Sequence, residues 1–186
     1  MDDILIEKVR CFVEGECRRP GAKYGIDAYK FHFVSVVNYS RILAERMGAD
    51  LDVVLVAAWL HDIGSIIYGR EDHHITSCGV AEEKLKEFGC DDELIKRVKH
   101  CIFAHRGSRD IVRESIEAEI LADADSMSHF DDIGGLFRAA YVTEEMSHDD
   151  ARASVRNKLI NSFAKLSSDA KKLIELKFEA AMLLLD

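Results

Sequence analysis

The sequence has 186 residues, 48% of them hydrophobic, and a net charge of −9 from 25 basic and 34 acidic side chains. A chain of this length buries a core without disulfides, and its five cysteines, an odd number with no Cys-x-x-Cys pair, exclude a disulfide framework and a thiolate zinc site. The absence of any lysine or arginine run excludes an extended nucleic-acid-binding stripe, but not a small phosphate ester, because a bound divalent cation supplies positive charge locally.

No apolar run approaches the ~20 residues that span a bilayer, and the start, Met-Asp-Asp-Ile-Leu-Ile-Glu-Lys, lacks a signal-peptide pattern. With reduced thiols, this predicts a cytoplasmic protein that makes no membrane contact.

A single proline, Pro20, and the near absence of alternating apolar and polar residues predict an all-α chain. Helices are expected at 2–17, 28–48, 51–63, 73–88, 91–104, 114–129, 131–142, 148–166 and 168–184. In the second, His32 shares a stripe with Val36, Tyr39 and Leu43 and faces inward. The third, from Leu51 to Leu60, is apolar nearly all round and should be the central buried helix. It ends in His61-Asp62-Ile63-Gly64, where Gly64 is placed to stop it, while the small Ala57 and Ala58 one turn earlier leave room beside His61 and Asp62.

In helix 73–88, His74 lines up with Cys78, Ala81, Leu85 and Phe88 and faces the core, while His73 falls off that stripe. In helix 91–104, Leu94, Val98, Cys101, Ile102 and His105 share an arc, so His105 points inward and His100 outward. Helix 114–129 carries Glu117, Leu121, Ala124 and Ser128 on one stripe, flanked by Asp123 and Asp125, and periodicity alone does not choose between the two aspartates. His148 lies in a polar run near a helix start. The last helix is amphipathic and is expected to pack back on the domain, with a homodimer left open.

A lone inward histidine is ordinarily a hydrogen-bonded core residue. Several helices presenting inward histidines, together with an aspartate and an acidic cluster, call for a shared partner, since a buried carboxylate is costly unless something positive meets it. A metal ion meets that need.

The order His32, then His61-Asp62 within Ala-Ala-Trp-Leu-His-Asp-Ile-Gly, then the distant aspartate of Leu-Ala-Asp-Ala-Asp-Ser-Met resembles the HD superfamily of metal-dependent phosphohydrolases over residues 28–135. The resemblance implies a single HD-type helical bundle over 1–186, its motif-bearing core at 28–135 and its C-terminal helices, 136–186, packed on that core. It implies His32, His61, Asp62 and Asp125 as metal ligands, Asp125 because Asp-Ser-Met matches the family's final motif. Asp123 is left to contact substrate or act in catalysis, and Glu117 is the acidic residue that often precedes the motif. Some subgroups add two histidines that hold a second metal bridged by the doublet's aspartate, and His74 and His105 occupy those places.

The chemistry implied is attack of metal-activated water on a phosphomonoester or phosphodiester of a nucleotide-like small molecule. Asp62 is then the least replaceable residue, Asp123 or His105 orients water or protonates the leaving group, and Arg106 and His129 are candidates for substrate contact. One or two divalent ions are expected, drawn from Mn, Fe, Co, Ni and Zn with Mg also compatible. The sequence departs from the family at Ser126, where many members have a basic residue. A di-iron oxygenase and a non-catalytic metal- or ligand-binding module stay open as alternatives.

Overall fold

Every side chain from Val53 to Leu60 is buried, none of them more than 5% exposed. A helix with no polar face has to be covered on all sides, and α4 (Leu51–Leu60) is covered by α1 (Asp3–Arg18), α3 (Val34–Met47) and α7 (Asp92–Ala104). The computed structural model describes residues 2–106 and 111–186, and among these it contains no strand. The all-α expectation therefore holds. All five cysteines are free thiols, and no helix among the described residues is long and apolar enough to cross a membrane.

The chain divides into two units, Met1–Ala124 and Asp125–Asp186. In the first, Asp2 caps α1 by accepting from the Leu5 amide, and Leu5, Val9, Val13 and Cys17 form its buried stripe. A short turn, α2 (Gly25–Asp27), leads into a π-helical segment, Ala28–Phe33, that runs on into α3. The expected helix 28–48 is thus an α-helix whose first turns are widened, and His32 sits in the widened part. Gly48 closes α3 in the left-handed conformation, at φ 68°.

After α4 the chain turns through His61 and Asp62 into α5 (Ile63–Ile67), followed by α6 (His73–Glu87) and, beyond α7, by α8 (Ile116–Ser128). Gly64, expected to stop the central helix, does not do so: α4 ends at Leu60. Gly64 lies inside α5, where α5 meets α6. A Cβ at this position would collide with Thr76 Oγ1 and lie 2.6 Å from the Ser77 backbone nitrogen. The Gly64 amide also donates to Ser77 Oγ at 2.9 Å. Glycine is needed here for close approach.

The start of α4 is held by charge as well as by its cap. Asp50 accepts from the amides of Asp52 and Val53 and binds Arg97 Nη1 at 2.8 Å. Arg97 Nη2 lies 3.3 Å from Glu117 Oε1, which also accepts from the Asp50 amide. Glu117, buried at 8% exposure, therefore ties α7 and α8 to the start of α4. Burial alone would raise the Asp50 carboxyl, but the Arg97 guanidinium and the two amides bring it below its ordinary value of 3.8.

The second unit contains the end of α8, then α9 (Ile133–Arg138) capped by Asp132, a π-helical turn at Ala139–Thr143, α10 (His148–Lys165) and α11 (Ser168–Leu185). Ser147 and Ser167 cap the last two helices. Phe163 stacks on Phe178 with centroids 4.0 Å apart, and Phe130 meets Phe178 edge-on.

Gly64→Ala should destabilise the protein by about 1–3 kcal/mol, the usual cost of overpacking, as a lowered midpoint in denaturant unfolding. Asp50 has a depressed folded value, so its contribution to stability is present above 3.8 and is lost as pH falls through the folded value. Asp50→Asn keeps the cap but not the charge, and its stability measured against pH should fall less steeply on the acid side than that of the wild type.

Candidate metal centre

His61 and Asp62 stand where the buried central helix ends, and the first unit brings three further histidines to them. His32 arrives from the π-helical segment, with Nε2 3.0 Å from His61 Nε2 and 3.6 Å from Asp62 Oδ2. His73, the first residue of α6, places Nε2 3.4 Å from Asp62 Oδ1. His105, at the end of α7, places Nε2 3.6 Å from the same oxygen. Two sets of donor atoms result, His32 with His61 and Asp62, and Asp62 with His73 and His105; in each, all atoms lie within 4.8 Å of one another. Asp62 belongs to both.

The hydrogen bonds on the far side of the rings fix what the near side offers. His61 Nδ1 is 2.8 Å from the Ala58 carbonyl oxygen, His73 Nδ1 is 2.9 Å from that of Arg70, and His105 Nδ1 meets that of Ile102. A carbonyl oxygen only accepts, so each Nδ1 carries the hydrogen and each neutral ring turns an Nε2 lone pair toward the cluster. This is how metal-binding histidines are commonly oriented. The carbonyls come from three residues earlier in the chain, so the backbone of each helix end or turn sets the tautomer of its own histidine.

Asp62 shows the complementary need. Its Oδ1 is buried with no hydrogen-bond partner, although two imidazole nitrogens stand 3.4 and 3.6 Å away. Burial pushes its carboxyl up, and only positive charge or donors from the surrounding imidazoles would hold it well below the usual carboxylate range; with those rings neutral, a cation is what would supply that charge. A buried carboxylate oxygen facing lone pairs rather than donors would be satisfied by a cation, and the separations of 3.0 to 3.6 Å between donor atoms suit ligands that share an ion at about 2.0–2.2 Å from each. The residues present therefore fit a divalent metal.

His74 is buried, at 1% exposure, as its stripe predicts, but neither donor set includes it. Its Nδ1 is 2.9 Å from Arg106 Nη1. Arginine can only donate, so this nitrogen accepts and the ring hydrogen of His74 sits on Nε2, the reverse of the other three rings. Of the two histidines at the start of α6, His73 rather than His74 has its ring nitrogen within one of the donor sets. Stripe spacing missed His73 because a residue in the first turn of a helix can reach past its end, and here the turn before α6 holds the ring through the Arg70 carbonyl. The signal available in the sequence was the His-His pair itself.

Of the remaining expected residues, Asp123 is buried at 6% exposure in the part of α8 that belongs to the first unit. Asp125 and His129 belong to the second. Asp125 is half-buried and its carbonyl accepts from Ser128 Oγ, while His129 Nδ1 is 3.0 Å from Ser162 Oγ. Arg106 is not idle at the surface: it contacts Asp72 Oδ1 at 3.4 Å as well as His74.

Ribonuclease Y of Fervidobacterium nodosum is 33% identical over 99 residues, 52% of this chain and 17% of that protein. A tRNA (cytidine(56)-2'-O)-methyltransferase of Thermoplasma volcanium is 31% identical over 116 residues, 56% of this chain and 33% of that protein. The chain thus spans a third or less of the curated relatives it matches. Among solved structures, an HD-superfamily hydrolase from Bacillus thuringiensis aligns with a TM-score of 0.74 at 19% identity, covering 100% of this chain and 95% of that one. Bacillus subtilis YpgQ, determined in complex with ADP, aligns with a TM-score of 0.71 at 23% identity, covering 96% and 92%. These likenesses show the fold. The HD domain profile matches residues 29–129, more than half of the sequence and including His32, His61, Asp62, His73 and His105, and the chain belongs to the HD domain family.

Proposed function

We propose that the cluster binds two divalent cations, one held by His32, His61 and Asp62 and the other by Asp62, His73 and His105, and that the protein hydrolyses a phosphate ester of a nucleotide-like small molecule. The observation that carries this reading is the Asp62 carboxylate, common to both donor sets, with a buried oxygen that has no hydrogen-bond partner. The place of Asp125 as a further ligand rests on the sequence pattern alone.

When bound, paired cations of this kind polarise a phosphoryl oxygen and lower the pKa of bound water toward neutrality. The chain's own residues do the rest. His61 and His105, 0% and 3% exposed, form the buried wall of the cluster, whereas His32 and Asp62 each keep a quarter of their side chain open to solvent, which leaves a side from which water and substrate enter. Asp123 is retained as a candidate for orienting that water, by virtue of its burial in the same unit.

The net charge of −9 and the lack of a basic stripe favour a small phosphate ester over a nucleic-acid strand. A nucleotide is favoured because YpgQ, alike in fold, was determined with ADP. The absence of disulfides is in keeping with a cytoplasmic setting.

Elemental analysis after loading with Mn2+ should find two ions in the wild type. Asp62→Ala should lower affinity for both by more than about 100-fold, since even the outer partners of metal ligands are worth 10–100-fold. In a panel of nucleoside mono-, di- and triphosphates and cyclic nucleotides, the wild type should release phosphate, pyrophosphate or a ring-opened product in a metal-dependent way, and Asp62→Ala should not. Oxygen consumption by the iron-loaded protein without phosphate chemistry would identify an oxygenase instead, and ion binding without any turnover would identify a sensing module.

A further inference from the structure

Arg106 belongs to neither donor set, yet its contacts bracket one of them. It follows His105 directly at the end of α7, and its Nη1 reaches α6, 2.9 Å from His74 Nδ1 and 3.4 Å from Asp72 Oδ1. Asp72 and His74 are the residues on either side of His73. One guanidinium nitrogen therefore grips both chain neighbours of His73 while its own neighbour is His105, and these are the two histidines that meet at Asp62 Oδ1.

Two local costs show that this arrangement is not incidental. Asp72 adopts the left-handed region at φ 47°, where a residue other than glycine is strained by about 1–2 kcal/mol. It also occupies the N-cap of α6, a position where an aspartate usually binds the first-turn amides and contributes about 1 kcal/mol, but its side chain makes no cap hydrogen bond. The carboxylate is turned to Arg106 instead. A strained backbone and a forgone cap at the edge of a polar cluster point to a constraint set by the cluster.

His74 completes the clamp. Its ring is buried against Phe103, with centroids 5.3 Å apart, and its Nδ1 accepts from Arg106. It thus gives the guanidinium a rigid, uncharged acceptor that cannot swing away. The other device acting on His73, the Arg70 carbonyl at Nδ1, orients its ring but does not link α6 to α7.

We infer that Arg106 is a positioning residue: by clamping Asp72 and His74 it holds the start of α6 against the end of α7, and so assembles the Asp62, His73 and His105 cation site without itself touching the ion. This rests on the reading of the cluster as a two-cation centre, and the effect is confined to the second site, because His32 and His61 come from other elements.

The test is calorimetric titration of the 186-residue chain with Mn2+, using His73→Ala and His32→Ala to mark the two ions. Arg106→Ala should weaken, by about tenfold or more, the ion that His73→Ala loses, and should leave the His32-dependent ion within about twofold of the wild type. Arg106→Lys, which keeps one cationic nitrogen able to serve both acceptors, should recover most of that loss. An Arg106→Ala isotherm that matches the wild type, or one in which both ions weaken alike with a lowered unfolding midpoint, overturns the inference, as does failure of the lysine variant to recover. The underlying reading fails differently: the wild type itself would then take up fewer than two ions, and the inference would fall with it.

Discussion

A carboxylate oxygen that is buried and faces imidazole lone pairs is the tension around which the first unit is organised. Asp62 Oδ1 has no hydrogen-bond partner, and three of the rings around it have given their hydrogen to backbone carbonyls on the other side. Rings that turn lone pairs inward offer Oδ1 no hydrogen to accept, and a cation among the donor atoms is the arrangement that would satisfy the oxygen and the lone pairs together.

The rest of the fold serves to deliver five side chains to that centre from four places in the chain. A helix buried on all sides carries His61 and Asp62 to its end, where Ala57 and Ala58, both fully buried, lie one turn back. The π-helical widening before α3 changes the angular position of His32 relative to an ordinary helix, and such widenings are often found at functional sites. Gly64 allows α6 to approach α5 closely enough for a backbone amide of one to meet the Ser77 hydroxyl of the other, and α6 brings His73. At the opposite end of α4, the Asp50, Arg97 and Glu117 network holds the helix start, so a helix with little polar surface of its own is tied at both ends by polar groups.

How much of this could be read from the sequence depends on how local the determinant is. The apolar run Leu51–Leu60 announces its burial, and the stripes through His32 and His105 place both rings inward, because each ring is continuous with a run of helix whose spacing sets the side-chain direction. The same logic puts His74 in the core, and it is there. It fails for His73, which stands in the first turn, where direction is decided by the preceding loop and by a left-handed Asp72 that no periodicity reveals. It also misreads Gly64, since a glycine after a helix ordinarily signals a stop, and the neighbour that requires a missing Cβ is thirteen residues on in another helix. Glu117 is the acidic residue that precedes the aspartates in the sequence pattern. In space it belongs to the ion network at the far end of α4.

The composition of the donor sets bears on what the centre would attract. Together they contain four imidazoles and one carboxylate. Neutral imidazoles bind a cation without cancelling its charge, so on the proposed reading two divalent ions would face a single negative ligand in these sets, leaving a strongly positive spot in a chain of net charge −9. Such a spot would select for anions at short range, while the acidic remainder of the surface would repel polyanions at long range, with a reach set by the Debye length of about 8 Å at physiological salt. A small ester with one or a few phosphates can satisfy both fields, because its charge is compact enough to be met by the ions alone.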